Sequence, residues 1–135
     1  MAKTILIAED FADDAVHLQQ ALKDSGIDHP VITVSDGDEV MAYFNGEGRF
    51  ADRLSFPLPA VLLLDLRMPR VDGFQVLEWL QKQAGFKELL VVVISGYQEL
   101  KDVNLAYQLG ARSFITKPCK PEDIKLLTTA FAAHW

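Results

Sequence analysis

Five residues could do chemistry together: the acidic pair Glu9-Asp10, then Asp65, Ser95 and Lys117. Each directly follows a short apolar run, namely Thr4 to Ala8, Ala60 to Leu64, Leu89 to Ile94 and Ser113 to Thr116. Clustered carboxylates repel one another unless a cation neutralises them. Oxygen ligands with room for water suit Mg2+, which usually takes one or two carboxylates plus phosphate oxygens. A carboxylate beside such an ion can act as a nucleophile and form an aspartyl phosphate. Lys117 and the metal would offset the phosphoryl charge, and Ser95 would donate a hydrogen bond to it. No histidine or cysteine is needed. His17, His29 and His134 fall at scattered helix or loop positions and read as surface residues.

These side chains meet only if the apolar runs are neighbouring strands. Ala60-Val61-Leu62-Leu63-Leu64 is apolar at every position, as in strands of parallel sheets buried on both faces. It ends abruptly in Asp65, followed by Leu66-Arg67-Met68-Pro69-Arg70-Val71-Asp72-Gly73. In a parallel sheet the residues just past each strand share one rim, where ligands collect. The second strand is the exception and offers only Ser35 and Asp36. Strands must end somewhere, so one polar residue at the rim could be chance. Four polar strand ends out of five make chance a poor explanation.

Helical patterns separate the strands. Asp13 or Asp14 can open a helix with Ala15, Leu18, Ala21 and Leu22 on one face, stopped by Ser25-Gly26. Pro30 to Val34 reads as the second strand, and Ser35-Asp36-Gly37 as turn and cap for a helix carrying Val40, Met41, Tyr43 and Phe44. Asn45-Gly46-Glu47-Gly48 ends it. Residues 46–59 lack periodicity and read as a long loop or short irregular helix. Such loops are often functional, although a tolerated insertion fits equally well. Phe74, Val76, Leu77 and Leu80 mark a third helix closed near Gly85. The fourth runs from Glu99 to Leu109 with Gly110 as its C-terminal glycine. Pro121 and Glu122 start the last, whose Ile124, Leu127, Thr128 and Phe131 share a face. The βαβαβαβαβα order has no repeat and no linker, and demands a parallel sheet covered on both sides by helices. It predicts a single three-layer α/β domain over residues 1–135.

Composition narrows the class further. The 135 residues suit one domain with a real core, and no apolar segment approaches membrane-span length. A net charge of −6 without a basic run argues against direct nucleic-acid binding. The first residues show no signal-peptide design. One cysteine leaves no disulfide framework, which suits a reducing cytoplasm.

These residues together resemble the receiver domain of two-component response regulators, over essentially the whole chain. Ile7-Ala8-Glu9-Asp10 matches the family's acidic pair, and Leu63-Leu64-Asp65-Leu66-Arg67-Met68-Pro69 its phosphoacceptor motif, continued by Val71-Asp72-Gly73. Ser95-Gly96 matches the hydroxyl position and its small neighbour, and Lys117-Pro118 the closing pair. The resemblance implies a doubly wound, flavodoxin-like (βα)5 fold with strand order 2-1-3-4-5. It also implies a cis Lys117–Pro118 peptide and a Mg2+ site of Glu9, Asp10, Asp65 and the backbone carbonyl of Arg67. Asp65 would accept a phosphoryl group from the phosphohistidine of a sensor kinase or phosphotransfer protein, then lose it by slow self-catalysed hydrolysis. Ser95 would move toward the phosphate and an aromatic ring on the fifth strand would swing inward. The matching ring is Phe114; tyrosine is frequent there, and Phe114 equally fits an ordinary core aromatic. Arg67 and Tyr97 would flank the water path and lengthen the phosphoryl lifetime, or simply lie on the surface. The lone Cys119 reads as inert.

The chain closes on one last helix at Trp135, as in stand-alone regulators, and its long loop before the third strand resembles those partnering phytochrome-type kinases. Partners would bind the face of the fourth helix, fifth strand and fifth helix, with Tyr107, Phe114, Phe131 and Trp135 as anchors. The fifth strand, as a sheet edge, also invites a homodimer through that face. The main rival is a pseudo-receiver that binds partners without phosphorylation; such proteins usually lack part of the constellation that is complete here. A haloacid-dehalogenase-type phosphatase wants a second acid where Arg67 stands. A flavodoxin-like electron carrier wants a phosphate-cradling loop where Glu9 to Asp14 would repel phosphate.

Overall fold

The computed structural model describes residues 3–96 and 99–135. Its five strands are β1 (Ile5–Ala8), β2 (Val31–Val34), β3 (Val61–Leu64), β4 (Leu90–Ser95) and β5 (Ser113–Thr116). They pair in parallel in the order β2-β1-β3-β4-β5. The connecting helices are α1 (Ala12–Asp24), α2 (Gly37–Asn45), α3 (Gly73–Gln81), α4 (Leu100–Gln108) and α5 (Pro121–Ala130). Alternation along the strands sorts the core into two layers. Leu6, Leu62, Leu64, Val91 and Val93 pack with Val40, Phe44, Val76, Leu77 and Ala106, so α2, α3 and α4 cover one face. Ile5, Ile7, Leu63, Val92 and Ile94 pack with Leu18, Leu22, Ile124 and Leu127, so α1 and α5 cover the other. The three central strands are therefore buried throughout, while β2 and β5 form the edges.

Helix ends differ from expectation in places. α1 starts at Ala12 with Phe11 as its N-cap residue and no side-chain cap; Asp13 and Asp14 sit inside the first turn instead. There they complement the positive end of the helix dipole. Asp36 caps α2 as expected, its carboxylate accepting from Glu39 N–H at 2.9 Å. α3 ends at Gln81 rather than near Gly85, where a separate 3-10 turn spans Ala84–Phe86. Gly110 follows α4 at φ +110°, the left-handed region that glycine adopts without steric cost.

The 46–59 segment is largely exposed but anchored through Phe50, Arg53 and Phe56. It holds a 3-10 turn at Gly48–Phe50, and Phe50 and Phe56 lie 5.0 and 6.1 Å from the buried Tyr43 ring. Arg53 donates to the carbonyls of Tyr43 (2.7 Å), Phe44 (2.6 Å) and Phe56 (3.3 Å). It thus adds donors to carbonyls in the last turn of α2, where Tyr43 O also accepts from Gly46 N–H at 3.2 Å. Tyr43 in turn donates its hydroxyl to the Pro57 carbonyl at 2.7 Å.

At the opposite end of the chain, a 3-10 turn at Ala132–His134 folds the last residues back. Phe131 and Trp135 pack half-buried against the α1/α5 layer and are not the exposed anchors the sequence suggested. Phe131 continues the α5 face of Ile124 and Leu127, whereas helical periodicity cannot register the doubling back that carries Trp135. His134 is likewise half-buried, its Nε2 3.1 Å from the Glu88 carbonyl.

Candidate functional site

The hydrogen bonding of the sheet runs one residue beyond its strands and fixes the rim. Glu9 N–H donates to Val34 O (3.0 Å), Asp65 N–H to Ala8 O (3.0 Å) and Lys117 N–H to Ser95 O (2.9 Å). Side chains from separate strands are thereby fixed at adjoining points. Glu9 and Asp65 are both buried and Asp10 is exposed, yet one carboxylate oxygen from each lies within 4.8 Å of the others. The Lys117 ammonium pairs with Glu9, lies 2.9 Å from Asp14 Oδ2 and stands 3.5 Å from Asp65 Oδ2.

The electrostatics follow from burial. Desolvation pushes the Glu9 carboxyl up to about 7, Lys117 pulling it back down and the Asp65 charge adding to the rise. For Lys117, burial disfavours the charge, but hydrogen bonds to Glu9 and Asp14 and the nearby Asp65 hold the ammonium well above the ordinary lysine range. Lys117 is thus a fixed cation beside three carboxylates. Asp10 has no ion-pair partner among the described residues. An all-oxygen set of three acids, one of them facing solvent, fits a hard divalent cation.

The Asp65 loop is built to be tight. Arg67 N–H donates back to Asp65 Oδ1 at 3.3 Å, and Gly73 N–H closes the loop on Leu66 O at 3.1 Å. A Cβ on Gly73 would fall 2.5 Å from the Asp65 carbonyl oxygen, so only glycine lets α3 begin this close to the acceptor. Asp72 then caps α3 in a reciprocal capping box with Gln75.

The remaining candidates fall on or near the same rim. Ser95 is fully buried at the end of β4, the neighbour of β3. Phe114 lies two residues short of the β5 rim, opposite Val93, half-buried against the α2/α3/α4 layer. The Lys117–Pro118 peptide is cis. Tyr97 lies outside the described residues. The Arg67 side chain is exposed and reaches 3.6 Å from Asp102 on α4. Cys119 is buried and its thiol is pushed up to about 12 by desolvation, consistent with an inert role.

Two pairings at the site have no signature in the sequence pattern. Asp14 lies in the first turn of α1, where it reads as a helix-start acid, and only the fold brings it to Lys117 at 2.9 Å. The pairing of Asp36 with Arg70 joins residues far apart in sequence, and no spacing rule announces it.

The family model for the response regulator receiver domain matches residues 5–129. This chain belongs to that family. The response regulator Rcp1 of Synechocystis sp. is 32% identical over 133 residues, covering 98% of this chain and 88% of that protein. A crystal structure of the phosphorylated cyanobacterial phytochrome response regulator RcpA aligns with a TM-score of 0.82 at 32% identity, over 100% of this chain and 94% of that one. The Mn2+-bound form of Rcp1 aligns with a TM-score of 0.79 at 32% identity, over 98% and 94% of the two chains. The receiver domain thus has the fold of its two-component relatives. Membership sets aside the phosphatase and flavodoxin readings, and the acidic cluster suits the divalent-cation binding of such domains. No described helix is long and apolar enough to cross a membrane.

Proposed function

We propose that this receiver domain is a phosphorylation switch whose acceptor is Asp65. The observation that carries this is the buried Asp65 carboxylate, grouped with Glu9 and Asp10 and faced by the Lys117 ammonium at 3.5 Å. The donor is the phosphohistidine of a sensor histidine kinase or phosphotransfer protein. The phytochrome response regulator RcpA, similar along the whole chain, supports a phytochrome-type kinase as partner. The exchange takes place in the cytoplasm, where a lone buried cysteine stays reduced.

An Asp65 oxygen attacks the phosphorus, and the P–N bond breaks with its electron pair returning to the imidazole nitrogen. Asp65 then carries an acyl phosphate. Lys117 pairs with a phosphoryl oxygen, and the Ser95 hydroxyl donates to another. Glu9, Asp10, Asp65 and the Arg67 carbonyl would hold Mg2+, which supplies positive charge against the phosphoryl oxygens. Dephosphorylation reverses the bond: water attacks phosphorus, inorganic phosphate leaves and the carboxylate returns. Ser95 shifting toward the phosphate makes room for Phe114 to turn inward, carrying the change to α4, β5 and α5. That surface, with exposed Leu100, Leu105 and Tyr107 on α4 and Leu126 on α5, docks a partner or a second copy.

Intact-protein mass after acetyl phosphate treatment tests this proposal. A single phosphoryl adduct that requires Mg2+ and vanishes in Asp65→Asn is the expected result. A wild type with no adduct and no beryllofluoride binding would overturn it in favour of a pseudo-receiver that docks partners without switching.

A further inference from the structure

The loop that follows Asp65 is tied to α2 by a second set of contacts that the phosphoacceptor chemistry does not use. Asp36 is 4% exposed, and its two carboxylate oxygens are divided between two tasks. Oδ1 caps α2 by accepting from Glu39 N–H, and Oδ2 receives the Arg70 guanidinium. Arg70 Nε also lies 3.5 Å from Asp38 in the first turn of α2. One residue further, Gly37 N–H donates to Val71 O at 3.1 Å. A Cβ on Gly37 would meet that oxygen at 2.3 Å, so the two backbones are in direct contact. Arg70 itself holds φ +63°, an uncommon conformation for a non-glycine residue. In that conformation its side chain is directed back across the loop to α2. The other arm of the loop leans the opposite way, with Arg67 reaching Asp102 on α4.

We propose that Arg70 and Asp36 form a clasp that positions the 66–72 loop, and through it the Arg67 carbonyl, for the cation and phosphoryl chemistry at Asp65. Arg70 and Asp36 are positioning residues in this scheme; neither is among the contacts of the acidic cluster. The inference rests on the phosphoacceptor reading above. A guanidinium suits the task because its rigid fork reaches two carboxylates at once, which an ammonium does less well. The buried Asp36 end supplies the fixed point, being locked by its own capping bond.

The decisive experiment measures Mg2+ binding by calorimetry alongside amide hydrogen exchange of the 66–72 loop in metal-free protein. Arg70→Gly keeps the left-handed backbone at no steric cost but removes the guanidinium. Asp36→Asn keeps an equally good helix cap but removes the charge. The clasp predicts about fivefold weaker Mg2+ binding and faster loop exchange in Arg70→Gly, and no further loss in the double variant, as expected of directly coupled residues. Simple charge effects predict the opposite sign, since deleting a cation near the site should tighten Mg2+ binding. Arg70→Lys should restore part of the affinity. Equal or tighter Mg2+ binding by Arg70→Gly would overturn the inference. Faster exchange with unchanged binding would also overturn it, reducing the pair to a local stabilising contact. A wild type that binds no Mg2+ would instead defeat the phosphoacceptor reading and take the positioning role with it.

Discussion

Lys117 is the residue on which the opposing demands of the site converge. It neutralises Glu9 and Asp65 before any phosphoryl group arrives, and its third contact is Asp14 on α1. Truncating it to alanine should therefore separate two properties. Mg2+ binding by Lys117→Ala should tighten, because a competing cation is gone. Phosphoryl uptake from acetyl phosphate should slow by about a hundredfold, the scale of losing one charged stabiliser of a transferring group. Calorimetry and timed mass spectrometry would read the two effects, and parallel losses in both would contradict the role given to Lys117. Asp36 offers a second test at this scale. Burial works against its charge, but the Glu39 amide and the Arg70 guanidinium hold its carboxyl below its ordinary value of 3.8. A depressed carboxyl stabilises the fold above its unfolded-state pKa, and that contribution fades as pH falls through the folded value. Asp36→Asn should thus cost about 1 kcal/mol at pH 7, the Arg70 end of the pair being screened by solvent. Denaturation curves of the two proteins should converge as pH falls through that lowered value.

At the scale of elements, the sequence pattern carried the sheet almost completely. Continuous apolar runs around Leu6, Leu63 and Val92 are legible because a parallel strand covered on both faces has no polar position to blur it. The site was legible for the same reason, since the first polar residue after each run has to emerge at the rim. Contacts between helices and loops were not legible. Asp14 turning to Lys117, Arg53 threading under α2 and Arg70 crossing to Asp36 each depend on a side chain meeting a partner remote in sequence. Trp135 was not legible because a terminal 3-10 turn folds it back against the α1/α5 layer, whereas Phe131 follows the α5 face of Ile124 and Leu127. Gly73 marks the tightest junction between elements. With its Cβ position 2.5 Å from the Asp65 carbonyl and 2.7 Å from Leu66 Cα, Gly73→Ala must move backbone rather than a flexible side chain. We expect a loss of about 2 kcal/mol in urea denaturation, as for overpacked sites. Slower phosphoryl uptake should accompany it, because the start of α3 and the acceptor loop shift together. An alanine variant with wild-type stability and uptake would contradict that coupling.

For the whole molecule, the two faces of the sheet divide the labour. The α1/α5 side places Asp14 and the cis-proline segment beside the site. The α4 side offers apolar groups without cover, with Tyr107 46% and Leu100 73% exposed. With β5 as an open edge beside them, this surface should self-associate when phosphorylated. Sedimentation velocity with beryllofluoride and Mg2+ should show a concentration-dependent dimer that Tyr107→Ala weakens. A monomer at all concentrations, with and without beryllofluoride, would exclude that mode and leave a heterologous partner as the ligand of this face.

Which residue takes the phosphoryl group can be read directly. Borohydride reduces an aspartyl phosphate to homoserine, marking the acceptor permanently. After acetyl phosphate and Mg2+ treatment, peptide sequencing by mass spectrometry should find homoserine at position 65, and should find none when Mg2+ is chelated. Homoserine at Asp10, or at no position while an adduct is present, would contradict Asp65 as the acceptor.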